Sequence, residues 1–364
     1  ARKTFPGAVV GRMGGDEFAV FMEHDAPISN GYVDRACGEF LASLREGFHV
    51  GHRRQTVSAS IGVALSPVDA TRADVLFGHA DIALYESKRA GRGTWRFFRP
   101  EILADKRHER FVERELRAAI LMQELKVLYQ PIVNSDGRLK SLEALVRWRH
   151  PQRGLVPPDV FIPVAEKTGT IREIGEWVRA EALRLSARLH SMNLLIPIAV
   201  NVSTAEFYDH QLAEHIIEQE QASGLPRGNL MVEITESLLI RSQQETIQFL
   251  QKLQQAGIRV ALDDFGTGYS SLSYLAAFPA DKLKIDRSFI QNMTRDQRSM
   301  ALVDAIINMG HSLHMRIIAE GVETCEDEEI LRQKGCDLIQ GYWLSKPRPD
   351  NEIIDLLLQQ TSVQ

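Results

Sequence analysis

From residue 127 to residue 344 the chain repeats one unit, a short apolar run followed by a longer amphipathic segment. The apolar runs fall at 127–133 (VLYQPIV), 141–148 (SLEALVRW), 196–203 (IPIAVNVS), 230–237 (LMVEITES), 259–265 (RVALDDF), 282–288 (KLKIDRS), 316–323 (RIIAEGVE) and 338–344 (LIQGYWL). Between them lie stretches such as IREIGEWVRAEALRLSARLH and RSMALVDAIINMGHSL, whose apolar residues recur at helical spacing. Short apolar strands linked by helices indicate a mostly parallel sheet covered by helices. Eight such units over roughly 250 residues predict an α/β chain built around a (β/α)8 barrel. The alternative is a doubly wound open sheet, but no glycine-rich dinucleotide fingerprint follows a strand.

The residues ahead of the barrel read differently. Residues 1–100 hold a turn-and-strand pattern around GGDEFAVFM and a helix from about 31 to 46. A β-branched stretch (TVSASIGVAL), a helix through ADIALYESKRAGR and a short strand at 95–98 follow. Leu103, Phe111, Leu116, Ile120 and Leu121, spaced among charged residues, predict a linker helix. The expected organisation is therefore a front domain over 1–100, a linker helix over 101–124 and a barrel domain over 106–364, with the boundary near 105. The first motif begins at residue 12, which suggests a fragment, so that any upstream sensor or membrane segment would lie outside this sequence.

Bulk properties narrow the function classes. No apolar run is long enough to cross a bilayer. The cysteines Cys37, Cys325 and Cys336 form no CxxC pair, so neither a disulfide scaffold nor a zinc site is expected. That usage fits a reducing cytoplasm. A net charge of −5 offers nothing to a nucleic-acid polymer, so a polyanionic ligand requires local positive charge from side chains or bound metal.

In six of the eight runs an acidic or amide residue lies toward the C-terminal half: Glu143, Asn201, Glu233, the pair Asp263–Asp264, Asp286 and Glu320. One such residue is more often a helix cap than a ligand. Independent caps, however, need not fall on successive strands, whereas barrel active sites gather at the C-terminal ends. Carboxylates converging there cannot all ionise without compensating cations. Oxygen ligands with one amide favour Mg²⁺ or Mn²⁺ over zinc or copper. So rich a cluster suits two ions, with Asp263 able to bridge them, and two ions suit in-line attack on a phosphodiester. Lys284 stands in the apolar run KLKID, where an unpaired ammonium is costly. Pairing with Asp286, contact with a catalytic water and a purely structural ion pair are all open. Arg147 is either a phosphate clamp or a surface arginine. DDFGTGYSSLSYL reads as a mobile polar loop at the rim, a lid or switch rather than a phosphate cradle.

At these residues the chain resembles the EAL family of cyclic di-GMP phosphodiesterases over about 106–364. YQPIV, EALVRW, NVS, EITES, DDFGTGYSSLSYL, KLKIDRSFI, AEGVE and QGYWLSKP occur in the family's order. The resemblance implies a barrel with its first strand antiparallel and hydrolysis of cyclic di-GMP to 5′-pGpG. It implies Glu143, Asn201, Glu233 and Asp263 as ligands of a first Mg²⁺ or Mn²⁺, and Asp263, Asp264 and Glu320 as ligands of a second. Glu320 and Lys284 would be catalytic, activating and holding the attacking water. Gln130, Leu145, Arg147 and Gln340 would contact the dinucleotide, and Asp286 is grouped with them. Glu236 would anchor the 265–275 loop, with Gly266 and Gly268 grouped with it as anchor or regulatory residues; in this family that loop often lies at a dimer interface, so a homodimer is expected. Ca²⁺, larger and loosely coordinated, is expected to inhibit. The complete residue set favours an enzyme over a receptor that binds without cutting.

The front segment resembles the later half of a GGDEF, or diguanylate cyclase, domain, through RMGGDEF, SIGVA and ALYESKRAGR. In that family the turn Gly14, Gly15, Asp16, Glu17 and Phe18 receives a nucleotide, with Asp16 or Glu17 assisting metal binding. The family's upstream strand and helix are not in this sequence, and Phe5 and Ala8 stand where an inhibitory RxxD would be. The remnant is therefore expected to be regulatory rather than cyclase-active, with GTP binding open. A bifunctional cyclase-phosphodiesterase would require the rest of that domain.

Overall fold

The computed structural model describes residues 4–23, 30–50, 53–236, 238, 243–266, 275 and 278–362. The chain divides into two compact units, Ala1–Arg110 and Phe111–Gln364, and one helix, Pro100–Leu121, runs through the limit between them. Among the described residues no helix is long and apolar enough to cross a membrane.

In the front unit β1 (Val9–Gly14) and β2 (Glu17–Phe21) form an antiparallel hairpin. Its turn carries Gly15 at φ 49°, and the Arg12 guanidinium donates to the Gly15 carbonyl at 3.0 and 2.6 Å. Helix Asn30–Glu46 leads to the hairpin β3 (Phe48–Val50) and β4 (Arg53–Gln55). Then β5 (Ile61–Val63) pairs in parallel with β6 (Trp95–Phe97) across helix Ala73–Arg89. Only three residues of TVSASIGVAL are strand, matching the three of its partner. Gly62 lies so close under the helix that a Cβ there would stand 2.0 Å from the Ala80 carbonyl. Phe5, Val33, Ala36 and Cys37 form a small core against Trp95 and Phe97. The described strands of this unit pair two by two instead of joining one sheet.

The second unit is a closed barrel. Its strands are β7 (Leu125–Asn134), β8 (Leu139–His150), a short β9 (Gly154–Val156) extending β8, β10 (Ile198–Val202), β11 (Leu230–Thr235), β12 (Arg259–Phe265), β13 (Lys282–Ile285), β14 (Arg316–Ala319) and β15 (Leu338–Ile339). The order β10-β11-β12-β13-β14-β15-β7-β8 closes through a β10–β8 pairing, which rules out the open doubly wound sheet. Within this ring of eight, neighbours are parallel except around β7, antiparallel to both β8 and β15, as the resemblance implied, and the short β9 pairs antiparallel with the end of β8. Helices cover the outside because one face of each is apolar. In Ile171–Ser191, Ile174, Val178, Ala182, Leu185 and Leu189 recur at three and four and are buried against the sheet.

Alternation along the strands explains the interior. Val200, Val232, Val260, Leu283 and Ile317 pack outward in the large core under the helices. Ala199, Met231 and Ala261, with Ile132, Ile318 and Leu338, form small clusters of their own. Two residues further toward the barrel mouth, on the same strand faces, stand Asn201, Glu233, Asp263, Gln130, Glu320 and Gln340. An apolar plug thus carries a polar layer.

Candidate metal centre at the barrel mouth

The strand register brings residues distant in sequence side by side. Asn201 on β10 is opposite Glu233 on β11, Thr235 opposite Asp263 on β12, and Gln130 on β7 opposite Glu143 on β8. Glu143 is not in the C-terminal half of its strand, as expected, but fifth in a run of twelve. It still lies at the mouth because β8 stays with β10 only over Leu142–Ala144 and then continues as a hairpin with β7.

At β12 the register slips between Leu262 and Phe265, and Asp264 takes φ +54°, a left-handed conformation rare outside glycine. Strict alternation sends consecutive side chains to opposite faces. This irregularity lets Asp263 and Asp264 serve one site. Two groups of carboxylates have ligand atoms within 4.8 Å of one another: Glu143, Glu233 and Asp263, and Asp263, Asp264 and Glu320. Asp263 belongs to both.

Lys284 stands at their centre, 0% exposed. Its ammonium lies 2.7 Å from Glu233, 3.1 Å from Asp263, 3.5 Å from Glu143 and 2.5 Å from Glu320. The pairing with Asp286 considered from sequence is not the one adopted. Strand β13 stops at Ile285, and the Asp286 carboxylate caps the helix Arg287–Asn292 through the Ser288 amide at 3.0 Å. Asp286 nevertheless adds its repulsion to Asp264.

The electrostatics follow burial first and neighbours second. Burial, then the repulsion of Glu143 and Asp263, holds Glu233 well above the usual carboxylate range in spite of Lys284. Burial pushes Glu320 up to about 8, with Lys284 opposing and Asp263 and Glu143 reinforcing. Asp264 is raised by burial and by Asp263. Burial also acts on Glu143, but Lys284 and the hydrogen bonds from Gln340 and Asn201 bring it below its ordinary value. Burial disfavours the charged Lys284, yet the surrounding carboxylates leave it well above a normal lysine. One ammonium among so many carboxylates leaves a deficit of positive charge. Glu233 Oε1 is buried with no hydrogen-bond partner. A buried carboxylate oxygen left without a donor, on a residue grouped within 4.8 Å of two other carboxylates, is what a hard divalent cation fits.

The amides organise the first carboxylate. Asn201 Nδ2 donates to Glu143 Oε1 at 2.8 Å, and Gln340 Nε2 donates to Glu143 Oε2 at 2.6 Å and to Gln130 Oε1 at 3.1 Å. Gln130 Nε2 donates to the Ser345 carbonyl at 3.2 Å. Among the described residues Gln340 Oε1 is likewise a buried side-chain oxygen with no hydrogen-bond partner. Leu145 and Arg147 follow along β8, both half-buried, and burial lowers the Arg147 guanidinium. Gln340 sits at the mouth because β15 ends at Ile339. Beyond it the chain turns under Val322, where a Cβ on Gly341 would lie 2.0 Å from the Val322 carbonyl.

At the rim Glu236 Oε2 accepts the Gly266 amide at 3.0 Å, and Gly266 has φ +101°. Gly268 and the loop 267–274 lie outside the described residues. In the front unit Asp16, Glu17 and Phe18 are exposed beside the Gly14–Gly15 turn. Sequence reasoning missed the support behind Asn201, where Ser203 and Glu206 close a capping box. Its signature, serine followed three residues later by glutamate, was legible.

Known proteins match this arrangement. Residues 113–347 match the EAL domain family, and residues 2–94 match the diguanylate cyclase, GGDEF domain family. The cyclic di-GMP phosphodiesterase NbdA of Pseudomonas aeruginosa is 38% identical over 94% of this chain and 43% of its own length. The cyclic di-GMP phosphodiesterase PdeR of Escherichia coli is 36% identical over 94% of this chain and 51% of its own. The chain thus spans about half the length of the curated relatives it matches. The structure of the MucR phosphodiesterase in complex with c-di-GMP aligns with a TM-score of 0.65 at 40% identity, covering 66% of this chain and 99% of that one. With its barrel, its acidic mouth and the match over residues 113–347, the chain belongs to the EAL domain family, preceded by a segment of the GGDEF family.

Proposed function

We propose that the barrel hydrolyses cyclic di-GMP to linear 5′-pGpG and depends on divalent metal, Mg²⁺ or Mn²⁺, and that the front segment is regulatory and makes no cyclic dinucleotide. One observation carries this reading: two carboxylate groups share Asp263 around Lys284, with Glu233 Oε1 left unpartnered. The relatives named cyclic di-GMP phosphodiesterases support the substrate.

Glu143, Asn201, Glu233 and Asp263 would hold one ion, and Asp263, Asp264 and Glu320 a second. Bound there, the ions supply positive charge to the phosphate and make water a competent nucleophile at neutral pH. The side chains do the rest. Lys284 orients the attacking water, and the Glu320 carboxylate takes its proton. The water oxygen bonds to phosphorus as the P–O3′ bond breaks, and the 3′ oxygen takes a proton from solvent to leave as a hydroxyl, while the proton on Glu320 returns to solvent. Arg147 clamps a phosphate, while Gln130, Leu145, Gln340 and Asp286 seat the dinucleotide. Glu236 steadies the 265–275 loop at Gly266, and that loop joins two copies in a homodimer. Ca²⁺ inhibits.

The test is a product assay on purified protein with Mg²⁺ or Mn²⁺ and with chelator. Linear 5′-pGpG should accumulate only with metal. Tight binding of intact cyclic di-GMP without turnover, metal present, would make the chain a receptor instead.

A further inference from the structure

Asn201 ends the part of β10 that faces the site, and the chain turns at once. Ser203, two residues on, caps the short helix Thr204–Phe207 in a box closed both ways. Ser203 Oγ accepts the Glu206 amide at 3.2 Å, and Glu206 Oε2 accepts the Ser203 amide at 3.2 Å. A glutamine or an exposed glutamate would complete such a box. Here the second oxygen, Glu206 Oε1, accepts Arg179 Nη1 at 2.9 Å, and the two side chains are 2% and 3% exposed. Arg179 Nε donates to Gln219 Oε1 at 2.9 Å, and Gln219 Nε2 to the Glu176 carbonyl at 3.1 Å. Gly175, one turn before Arg179, makes room: a Cβ there would stand 2.0 Å from Glu206 Oε1.

A buried ion pair stabilises poorly compared with apolar packing, and its use is geometric, since each partner is costly anywhere but against the other. A four-residue helix does not need one to be capped. We propose that the Arg179–Glu206 pair is a positioning device: it ties the turn after β10 to helix Ile171–Ser191 and so fixes where Asn201 presents its amide to Glu143 and to the metal. The role rests on the metal-dependent reading above. It makes Arg179, Glu206 and Gly175 positioning residues that touch neither metal nor substrate, a second layer behind the first ligand set.

The test uses the full chain and the variants Gly175→Ala, Arg179→Met and Arg179→Met/Glu206→Gln. Mn²⁺ affinity is read from loss of the free-ion resonance signal, beside kcat, KM for cyclic di-GMP and melting temperature. Gly175→Ala is informative because alanine favours a helix interior over glycine, so weaker metal binding cannot be laid to a weaker helix. Gly175→Ala and Arg179→Met should each weaken Mn²⁺ binding at least tenfold and lower kcat, with KM within threefold. The double variant keeps the box through the glutamine oxygen and buries no charge but cuts the tie to the helix, so its Mn²⁺ affinity should stay at least tenfold below the parent's; a return to within threefold would show that the stranded charge alone matters and overturn the positioning role. Variants that melt lower yet bind Mn²⁺ as the parent does would reduce the pair to a structural tie and overturn the positioning role alone. A parent that binds no Mn²⁺ would overturn the metal reading, and this role with it.

Discussion

Replacing Lys284 with methionine removes one ammonium from among four carboxylates at 2.5 to 3.5 Å and keeps most of the side-chain volume. Removing one partner of a buried ion pair costs about 3–5 kcal/mol, chiefly from the charge left uncompensated. For a unit of this size 1 kcal/mol moves the melting temperature by about 2–4 °C, so a fall of roughly 6–20 °C is expected in chelator. Protonation softens the loss, because Glu233 and Glu320 already hold protons more tightly than ordinary carboxylates. The deficit is therefore largest near pH 8 and smaller near pH 6. Divalent ions can take over part of the ammonium's role, since a ligand at 100 times its Kd adds about 2.7 kcal/mol. Saturating Mn²⁺ should accordingly recover about half of the loss or more. Thermal melts of parent and variant at both pH values, each with chelator and with Mn²⁺, measure all of this. Turnover should fall by on the order of 10²–10³, as for loss of a preorganised electrostatic group, with KM little changed. Equal melting of parent and variant in chelator at pH 8 would refute the reasoning, because the ammonium would then not be what balances the carboxylates.

Metal binding should release protons at pH 7, because Glu320 titrates at about 8 in the metal-free protein and a ligand must be ionised. With the unfolded value near about 4.3, the metal-free fold loses stability as pH rises between the two, so the Mn²⁺-induced gain in melting temperature grows from pH 6 to pH 8. Calorimetric titration in two buffers of different ionisation enthalpy counts the protons, and zero release would contradict the raised value. Glu143→Ala strands the donors of Asn201 and Gln340 and removes a carboxylate from the first group, so turnover should vanish while circular dichroism is unchanged; retained turnover would exclude Glu143 as a ligand. Gly266→Ala forces alanine to φ +101° with its Cβ 2.8 Å from Phe289 Cε2. It should cost about 1–3 kcal/mol, read as a lower denaturation midpoint.

Much of the site could be read in one dimension because a barrel converts sequence order into position. A polar residue on the inward face toward the end of a strand is carried to the common mouth, so Asn201, Glu233, Asp263 and Glu320 were legible as a set from strand periodicity, whereas Glu143 lies fifth in a strand of twelve and Asp286, just past β13, caps a helix. The closed order and the antiparallel β7 were not, since hydrophobic alternation is the same in either direction and carries no partner identity. The partners of Lys284 were equally hidden. Its position in KLKID showed a buried cation, but proximity along the chain pointed to Asp286, whereas the barrel brings in Glu143 from 141 residues away and ends β13 so that Asp286 caps a helix. Local chemistry, such as the Ser203–Glu206 box, is written in the residues themselves. That Arg179 and Gly175 meet this box is a matter of how one helix lies on the barrel, and only packing decides it.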